Sequence, residues 1–312
     1  MLSSASHGLD ASSLIVDLAV TGKASNSACP SDMLHAVVTL FKDCVLGCVV
    51  PLLDMDTGCS LANAISNNDG FLCSQLLAFL GTVLVAHGPI TALVSGPTLA
   101  EQDIISLVFA AISVTFCTSD LLGSGTGANI LESIRRAAQS LLRHVFEAHA
   151  DQRQWILEEI LASLIKLPTL KRSQSTYHIS GGRSVQFITV LLLKLLQGTA
   201  QSPEDLTAGF EGRRLPAKEC RMLLQKHKKA VDAASSSTDF VVRYLIGRCV
   251  KRDSKASANE AEYRGLLETF IDNCLVLLGH PQWPAAELVI RVYSMHVLEL
   301  LDEEKADIGM KT

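Results

Sequence analysis

Apolar residues recur along most of the chain at spacings of three and four, which is the period of an amphipathic helix. The clearest stripe contains Ile130, Ile134, Leu141 and Val145, while Arg136 and its neighbouring arginines fall off it. This pattern predicts a pair of helices from about residue 129 to residue 167, with a break near residue 150.

The same periodicity predicts helices in most of the remaining sequence, with glycine, proline or capping residues at their ends. No segment shows a convincing strand pattern. Successive helix pairs recur about every 40 residues, which is the range of HEAT and armadillo repeats. The sequence therefore predicts an all-α fold, an α-solenoid of HEAT-type helical hairpins. The further predicted helices span about 31–50, 71–87, 98–117, 185–197, 216–234, 238–251, 259–278 and 284–302.

The chain is expected to divide into three parts. Residues 1–30, rich in Ser, Ala and Gly, are expected to be a flexible N-terminal segment. Residues 31–305 are expected to form the solenoid, with a variable basic insert at about 198–236. Residues 306–312 are expected to be a tail.

Composition excludes some classes of protein. The chain has 312 residues, of which 48% are hydrophobic and only 5% aromatic, so it is too apolar for a disordered chain and suits helix-on-helix packing. Its mean hydropathy of +0.28 raises the question of a membrane span. However, His87, Gly88 and Pro89 interrupt the uncharged stretch at 71–100, and a span needs roughly 20 apolar residues. Buried helices and no membrane partner are therefore expected.

The nine cysteines are odd in number, and several lie inside apolar runs. They are interpreted as small buried hydrophobic residues in a reducing compartment. The alternative is a zinc site formed by His35, Cys44, Cys48, Cys59 and Cys73. Structural zinc sites favour closely spaced ligand pairs, and the sequence has no C-x-x-C pair, so no metal is predicted.

Residues 123–128, Gly-Ser-Gly-Thr-Gly-Ala, fit the dinucleotide fingerprint G-x-G-x-x-A and precede a predicted helix. The fingerprint requires a preceding strand and a βαβ unit, whereas the flanking patterns are helical, which favours an interhelical loop. The sequence also lacks a Walker A motif, H-E-x-x-H and G-x-S-x-G. No cofactor, no catalytic residue and no enzyme activity are predicted.

Charge is strongly segregated along the chain. The whole chain has a net charge of −5, yet residues 166–255 contain 17 Lys and Arg against 7 Asp and Glu. Such a strip attracts phosphate backbones, and its few aromatic residues favour contact with a duplex over stacking on single-stranded bases. The open alternative is a solvated basic face that pairs with acidic neighbours. The candidate DNA-binding residues are Lys171, Arg172, Arg183, Arg213, Arg214, Lys218, Arg221, Lys226, Lys228, Lys229, Lys251 and Arg252.

Two blocks of sequence resemble one protein family. The first block is residues 152–169, followed by Lys171-Arg172 and the apolar segment 185–197, and the second is residues 281–288, Pro-Gln-Trp-Pro-Ala-Ala-Glu-Leu. Their order and spacing resemble the Nipped-B-like cohesin loader family, the sister-chromatid cohesion proteins of fungi, animals and plants. The resemblance covers about residues 125–305. It departs at Gln282, where family members usually carry an acid.

The resemblance implies a hook-shaped α-solenoid without catalytic residues of its own, located on chromatin in the nucleus. It implies binding to double-stranded DNA and to the SMC and kleisin subunits of cohesin, with stimulation of the cohesin ATPase and of cohesin loading. Family members are much longer, so this chain is expected to be one piece of the HEAT-repeat region. A small helical-repeat partner is expected to bind through a region outside this chain.

A second function is compatible with the same residues. A generic helical-repeat adaptor would use the basic strip to bind an acidic protein partner instead of DNA.

Overall fold

The computed structural model describes residues 2–20, 31–53, 70–94, 99–116, 126–166, 176–179, 182–200, 216–249 and 258–309. Within these ranges the chain is helical apart from one two-stranded hairpin and short connections. The prediction of an all-α fold is therefore confirmed. The chain forms two compact units, Met1–Ala150 and Asp151–Thr312.

The first unit is a set of packed helices around an aliphatic core. Helix α4 packs on both α1 and α6, while α5 packs on α6 and α2. Phe41, Phe79, Leu107 and Ile134 are fully buried between them. The elements are α1 (Leu2–Val20), α2 (Ser31–Cys44), a π-helical turn (Val45–Val49), α3 (Val50–Leu53), α4 (Gly70–Val94), α5 (Glu101–Phe116) and α6 (Thr126–Ala148).

Helix α1 occupies most of the segment that the sequence predicts to be flexible. Leu9 and Val16 are buried, and α1 packs on α4 and α2. Gly8 permits a close approach, because a Cβ at this position would lie 3.0 Å from the Leu40 side chain. Small residues do not prevent a helix when tertiary contacts supply its stability, which explains the difference. Residues 21–30 lie outside the described ranges.

Two prolines that are expected to disturb or end helices lie inside helical segments instead. The segment from Ser31 continues past Pro51 to Leu53, and the π-helical turn just before Pro51 widens the helix where the ring would crowd a carbonyl. Helix α4 continues past Gly88-Pro89 to Val94, because Ile90 and other residues beyond the proline are buried. Their burial offsets the cost of about 3 kcal/mol for an interior proline.

Among the described helices, one is long and apolar enough to cross a membrane by length and composition, namely Ser74–Val94 within α4. Helices α1 and α6 pack against it, and Phe79, Leu80 and Val83 are fully buried there. In this structure α4 is thus the central core helix of the first unit.

The second unit is also built from packed helices. Helix α8 contacts α9, α10 and α11, and α7 packs on α9 and α10. Leu157, Leu193, Leu245 and Phe270 are buried in its core. After a 3-10 turn (Ala150–Gln152), the elements are α7 (Arg153–Lys166), β1 (Thr176–His178), β2 (Ser184–Gln186), α8 (Phe187–Gly198), α9 (Ala217–Cys249), α10 (Ala258–Leu277) and α11 (Pro284–Gly309).

Helix α9 is continuous through the Ser-Ser-Ser-Thr segment at 235–238, where the sequence predicts a break. The Thr238 hydroxyl donates a hydrogen bond to the Ala234 carbonyl at 2.8 Å, within the same helix. Ser237 and Thr238 are buried. Serine and threonine can satisfy their hydroxyls on the preceding helical turn, so burial here outweighs their preference for turns.

The antiparallel hairpin of β1 and β2 is the element that the sequence pattern does not predict. Tyr177 pairs with Val185, and Gly182 takes a positive φ of 73° in the turn. Three residues per strand are too few for a recognisable alternation, whereas the turn needs a residue that tolerates this backbone conformation.

The packing of α1 gives a direct test of its structured state. Leu9→Ala should lower the free energy of unfolding by about 2–5 kcal/mol, because Leu9 is 1% exposed in the core. Leu14→Ala in the same helix is the matched control. Leu14 is 66% exposed, so its change should stay within about 0.5 kcal/mol. Urea unfolding followed by circular dichroism measures both, and equal effects would contradict the packed helix.

Candidate nucleic-acid interface

The first half of α9 lies outside the core of the second unit. No side chain between residues 217 and 233 is buried, and the first buried residue of the helix is Ala234. These 17 residues extend about 25 Å at the usual rise of an α-helix. We call residues 217–233 the basic half of α9.

The basic half of α9 presents five exposed cations. Lys218, Arg221 and Lys229 share one side of the helix, because they are separated by multiples of three and four residues. Lys228 and Lys226 lie on either flank of this side, and all five side chains are exposed. Two acids, Glu219 and Asp232, lie in the same half of the helix. The result is a dense positive surface on a rigid element.

These five cations form no ion pair with another residue that the structure describes. The arginines of other helices behave differently: Arg136 pairs with Glu132 at 3.4 Å, and Arg143 pairs with Glu147 at 3.3 Å. Arg264 also pairs with a carboxylate of its own helix. The basic half of α9 is therefore distinguished by cations that form no ion pair within the described part of the chain.

Arg183, another predicted DNA-binding residue, has a structural contact. Its Nη1 donates a hydrogen bond to the Val276 carbonyl at 3.1 Å, which joins the turn just before β2 to the last turn of α10. Carbonyls at a helix C-terminus lack partners within the helix, and a cation there is favourable. Arg183 thus fastens the hairpin of β1 and β2 to α10, and it is not part of the basic half of α9. The remaining six predicted residues lie outside the described ranges: Lys171, Arg172, Arg213, Arg214, Lys251 and Arg252.

Basic residues in the second half of α9 are used inside the second unit. The Arg248 guanidinium lies 5.0 Å from the centre of the Tyr244 ring and 5.7 Å from that of Tyr263. Burial, together with Tyr244, raises the pKa of Tyr263 to about 12. Arg243 pairs with Asp239 at 3.0 Å. Charge alone does not identify an interface, since Arg243 and Arg248 carry the same charge as the cations of the basic half but contact residues of their own unit.

A buried histidine joins α9 to α11 just beyond the basic half. His296 Nε2 lies 2.6 Å from Asp239 Oδ1, and its Nδ1 lies 3.0 Å from Glu299 Oε2. Arg243 completes this group, which we call the His296 cluster, at 3.0 Å from Asp239 and 4.0 Å from Glu299. Sequence reasoning missed it: the spacings 239–243 and 296–299 are visible in the sequence, but the pairing of α9 with α11 is not.

The cluster changes the ionisation of Asp239. Burial alone would raise the pKa of this carboxyl group, but hydrogen bonds from His296 and Arg243, with their charges, lower it overall. The ionised form of Asp239 is therefore favoured in the folded chain.

The other sites considered from the sequence do not form in the described residues. His35 Nδ1 lies 2.6 Å from Asp103, and burial raises the pKa of the Cys44 thiol to about 11. No group of three metal-binding side chains occurs in the described ranges, and neither Cys59 nor the side chain of Cys73 falls within them. Residues 123–125 of the glycine-rich motif are also outside, while residues 126–128 begin α6; the elements described on either side of the gap are helices α5 and α6, not a βαβ unit.

Comparison with known proteins finds relatives and a solved structure, but no family model matches the chain. The chain is 25% identical over 184 residues to sister chromatid cohesion protein mis4 of Schizosaccharomyces pombe, covering 54% of this chain and 11% of that protein. It is 27% identical over 193 residues to the Nipped-B protein of Drosophila melanogaster, covering 56% of this chain and 9% of that protein. Identity to the Nipped-B-like protein of Homo sapiens is 24% over 190 residues, covering 58% and 6%.

A solved structure resembles nearly the whole chain. It is the C-terminal fragment of the Chaetomium thermophilum cohesin loader SCC2, with a TM-score of 0.73 and 22% identity, covering 94% of this chain and 21% of that fragment. The predicted α-solenoid fold and the resemblance to Nipped-B-like proteins are both confirmed. The chain spans about a tenth or less of the length of these curated relatives.

Acid titration tests the His296 cluster. Because the pKa of Asp239 is lowered on folding, its stabilisation is complete above the ordinary pKa of about 3.9 and is lost as the pH falls through the lower folded value. Asp239→Asn should therefore destabilise the chain at pH 7, and the gap from wild type should narrow below about pH 4.

Urea unfolding at a series of pH values measures this gap. Asp232→Asn is the control, since Asp232 is an exposed acid of the same helix and forms no ion pair with a described residue. A gap for Asp239→Asn that stays constant from pH 7 into acid would contradict the stabilising role of the Asp239 carboxylate.

Proposed function

We propose that this chain is part of a non-enzymatic cohesin-loading scaffold and that the basic half of α9 contacts double-stranded DNA. The observation that carries the DNA role is the set of five exposed cations without an acidic partner among the described residues. The likeness of the chain to a protein named for sister chromatid cohesion supports its proposed role in cohesin loading. The structural relative described as a cohesin loader has the same kind of helical fold.

The chemistry of the basic half of α9 suits phosphate groups of a duplex. Lysine and arginine that are free of intramolecular ion pairs can release the counterions of a phosphate backbone without first breaking an internal contact. The segment 217–233 contains no Phe, Trp or Tyr on which single-stranded bases could stack. The helix therefore favours sequence-independent contact with a duplex backbone.

The wider part of the proposal follows the relatives. In it, the chain belongs to a scaffold that acts on chromatin in the nucleus, binds the SMC and kleisin subunits of cohesin and stimulates the cohesin ATPase during loading. Packed helices supply long surfaces for such partners, because each helix pair buries its core against its neighbours and leaves another face free.

A second candidate is an adaptor that binds an acidic protein, and one observation favours it. Leu224 is 68% exposed and Met222 is 52% exposed within the same half helix. Apolar side chains contribute to a protein interface, whereas a phosphate backbone offers them little. The two candidates differ in the salt dependence of binding.

Removal of three cations tests the DNA role. The triple variant Lys226→Gln, Lys228→Gln and Lys229→Gln should weaken duplex binding, and the slope of log affinity against log salt should become shallower by about one per lost phosphate contact. The measurement is fluorescence anisotropy of a labelled duplex at several salt concentrations, with the full chain.

The matched control removes three arginines that already pair with acids, through Arg136→Gln, Arg143→Gln and Arg264→Gln. It changes the net charge equally but should leave the slope nearly unchanged. Equal affinity and slope for both variants would contradict the DNA role of α9. Wild-type binding to an acidic protein but not to duplex would favour the adaptor.

A further inference from the structure

Among the described residues of helix α9, buried side chains occur only from Ala234 onward, which makes the junction of its two halves important. The second half packs on α10 and α11, with Val241, Val242 and Leu245 fully buried. The basic half has no buried side chain of its own. Its direction is therefore set by the contacts at the first turns that enter the core.

The His296 cluster lies at this junction. Asp239 follows the first buried residue, Ala234, by five positions, and His296 holds it from α11 at 2.6 Å. The His296 side chain is 9% exposed, whereas its partners Asp239 and Glu299 are partly exposed at 43% and 55%. Hydrogen bonds with charged groups are stronger than neutral ones, and several of them on one buried ring fix the relative geometry of its partners.

The His296 cluster brings together two basic and two acidic side chains, whereas a single ion pair has one of each. The His296 ring contacts a carboxylate of each helix, Asp239 of α9 through Nε2 and Glu299 of α11 through Nδ1. Arg243 lies between the same two carboxylates. His296 and Arg243 thus each contact both carboxylates and link α9 to α11.

We infer that His296 is a positioning residue that fixes the direction of the basic half of α9. Its functional consequence rests on the proposed DNA role of that half. Lys229 precedes Asp239 by ten residues, or about 15 Å along the helix. A tilt of about 10° at the junction moves Lys229 by nearly 3 Å over that length, which is enough to break a phosphate contact.

The first test measures duplex binding by His296→Ala in the full chain, at a temperature where circular dichroism shows the variant folded. Affinity should fall and the salt slope should become shallower by about one to three. Combined with the Lys226, Lys228 and Lys229 to Gln changes, His296→Ala should add little, because both act through the same contacts. The inference applies where wild-type binding depends on those lysines. In that case it would be overturned if the effects of His296→Ala and of the lysine changes added fully, or if His296→Ala left affinity and slope unchanged.

The matched control is His87→Ala. His87 is also a buried histidine, at 3% exposure, but it lies in the first unit and bonds to the Val83 carbonyl of its own helix. It should cost stability without changing the salt slope. The conservative variant His296→Gln should recover part of the binding, since its amide can donate to Asp239 but cannot bridge to Glu299. Equal slope changes in His87→Ala and His296→Ala would indicate a structural role alone.

A second test does not depend on DNA. Ketone-bearing amino acids at positions 225 and 287, carrying spin labels, report the distance between the basic half of α9 and the start of α11. The wild type should give one narrow distance distribution, and His296→Ala should broaden or shift it. An unchanged distribution overturns the positioning role even if the DNA role holds, while a changed one supports it even if the chain binds no duplex.

Discussion

Burial along α9 stops at Ala234, and the candidate site depends on this one asymmetry. Val241, Val242 and Leu245 bind the second half of the helix into the core. The first half continues outward because a helix satisfies its own backbone hydrogen bonds and needs no neighbouring chain to do so. The packed second half of the continuous helix thus supports the first half, whose charges lie outside the core.

Two kinds of basic side chain follow from that asymmetry. Within the core-facing half, Arg243 and Arg248 meet Asp239, Tyr244 and Tyr263, so their charge is used between helices. In the basic half, neither Glu219 nor Asp232 forms an ion pair with these cations. Exposed ion pairs contribute little to stability, so leaving these cations without partners costs the fold little. The same freedom makes them available to an external polyanion.

Much of the fold is predictable from the sequence, because periodicity dictates which face of a helix is buried. The stripe through Ile134 and Leu141 correctly predicts α6. What sequence reasoning missed depends on tertiary contacts: the helix continues through Pro89 because residues beyond it are buried, and Thr238 stays helical because its hydroxyl bonds within the helix. The basic half of α9 is visible as charge, whereas the contact of His296 with Asp239 depends on two segments 57 positions apart.

Acetylation footprinting gives a direct test of the proposed contact between the cations of the basic half of α9 and a DNA duplex. The full chain is treated with an acetylating reagent with and without duplex DNA, and each lysine is quantified by mass spectrometry. If the proposed contact forms, duplex should protect Lys218, Lys226, Lys228 and Lys229, while Lys42 of α2 should react equally in both samples. Equal reactivity of the four α9 lysines with and without bound duplex would contradict it.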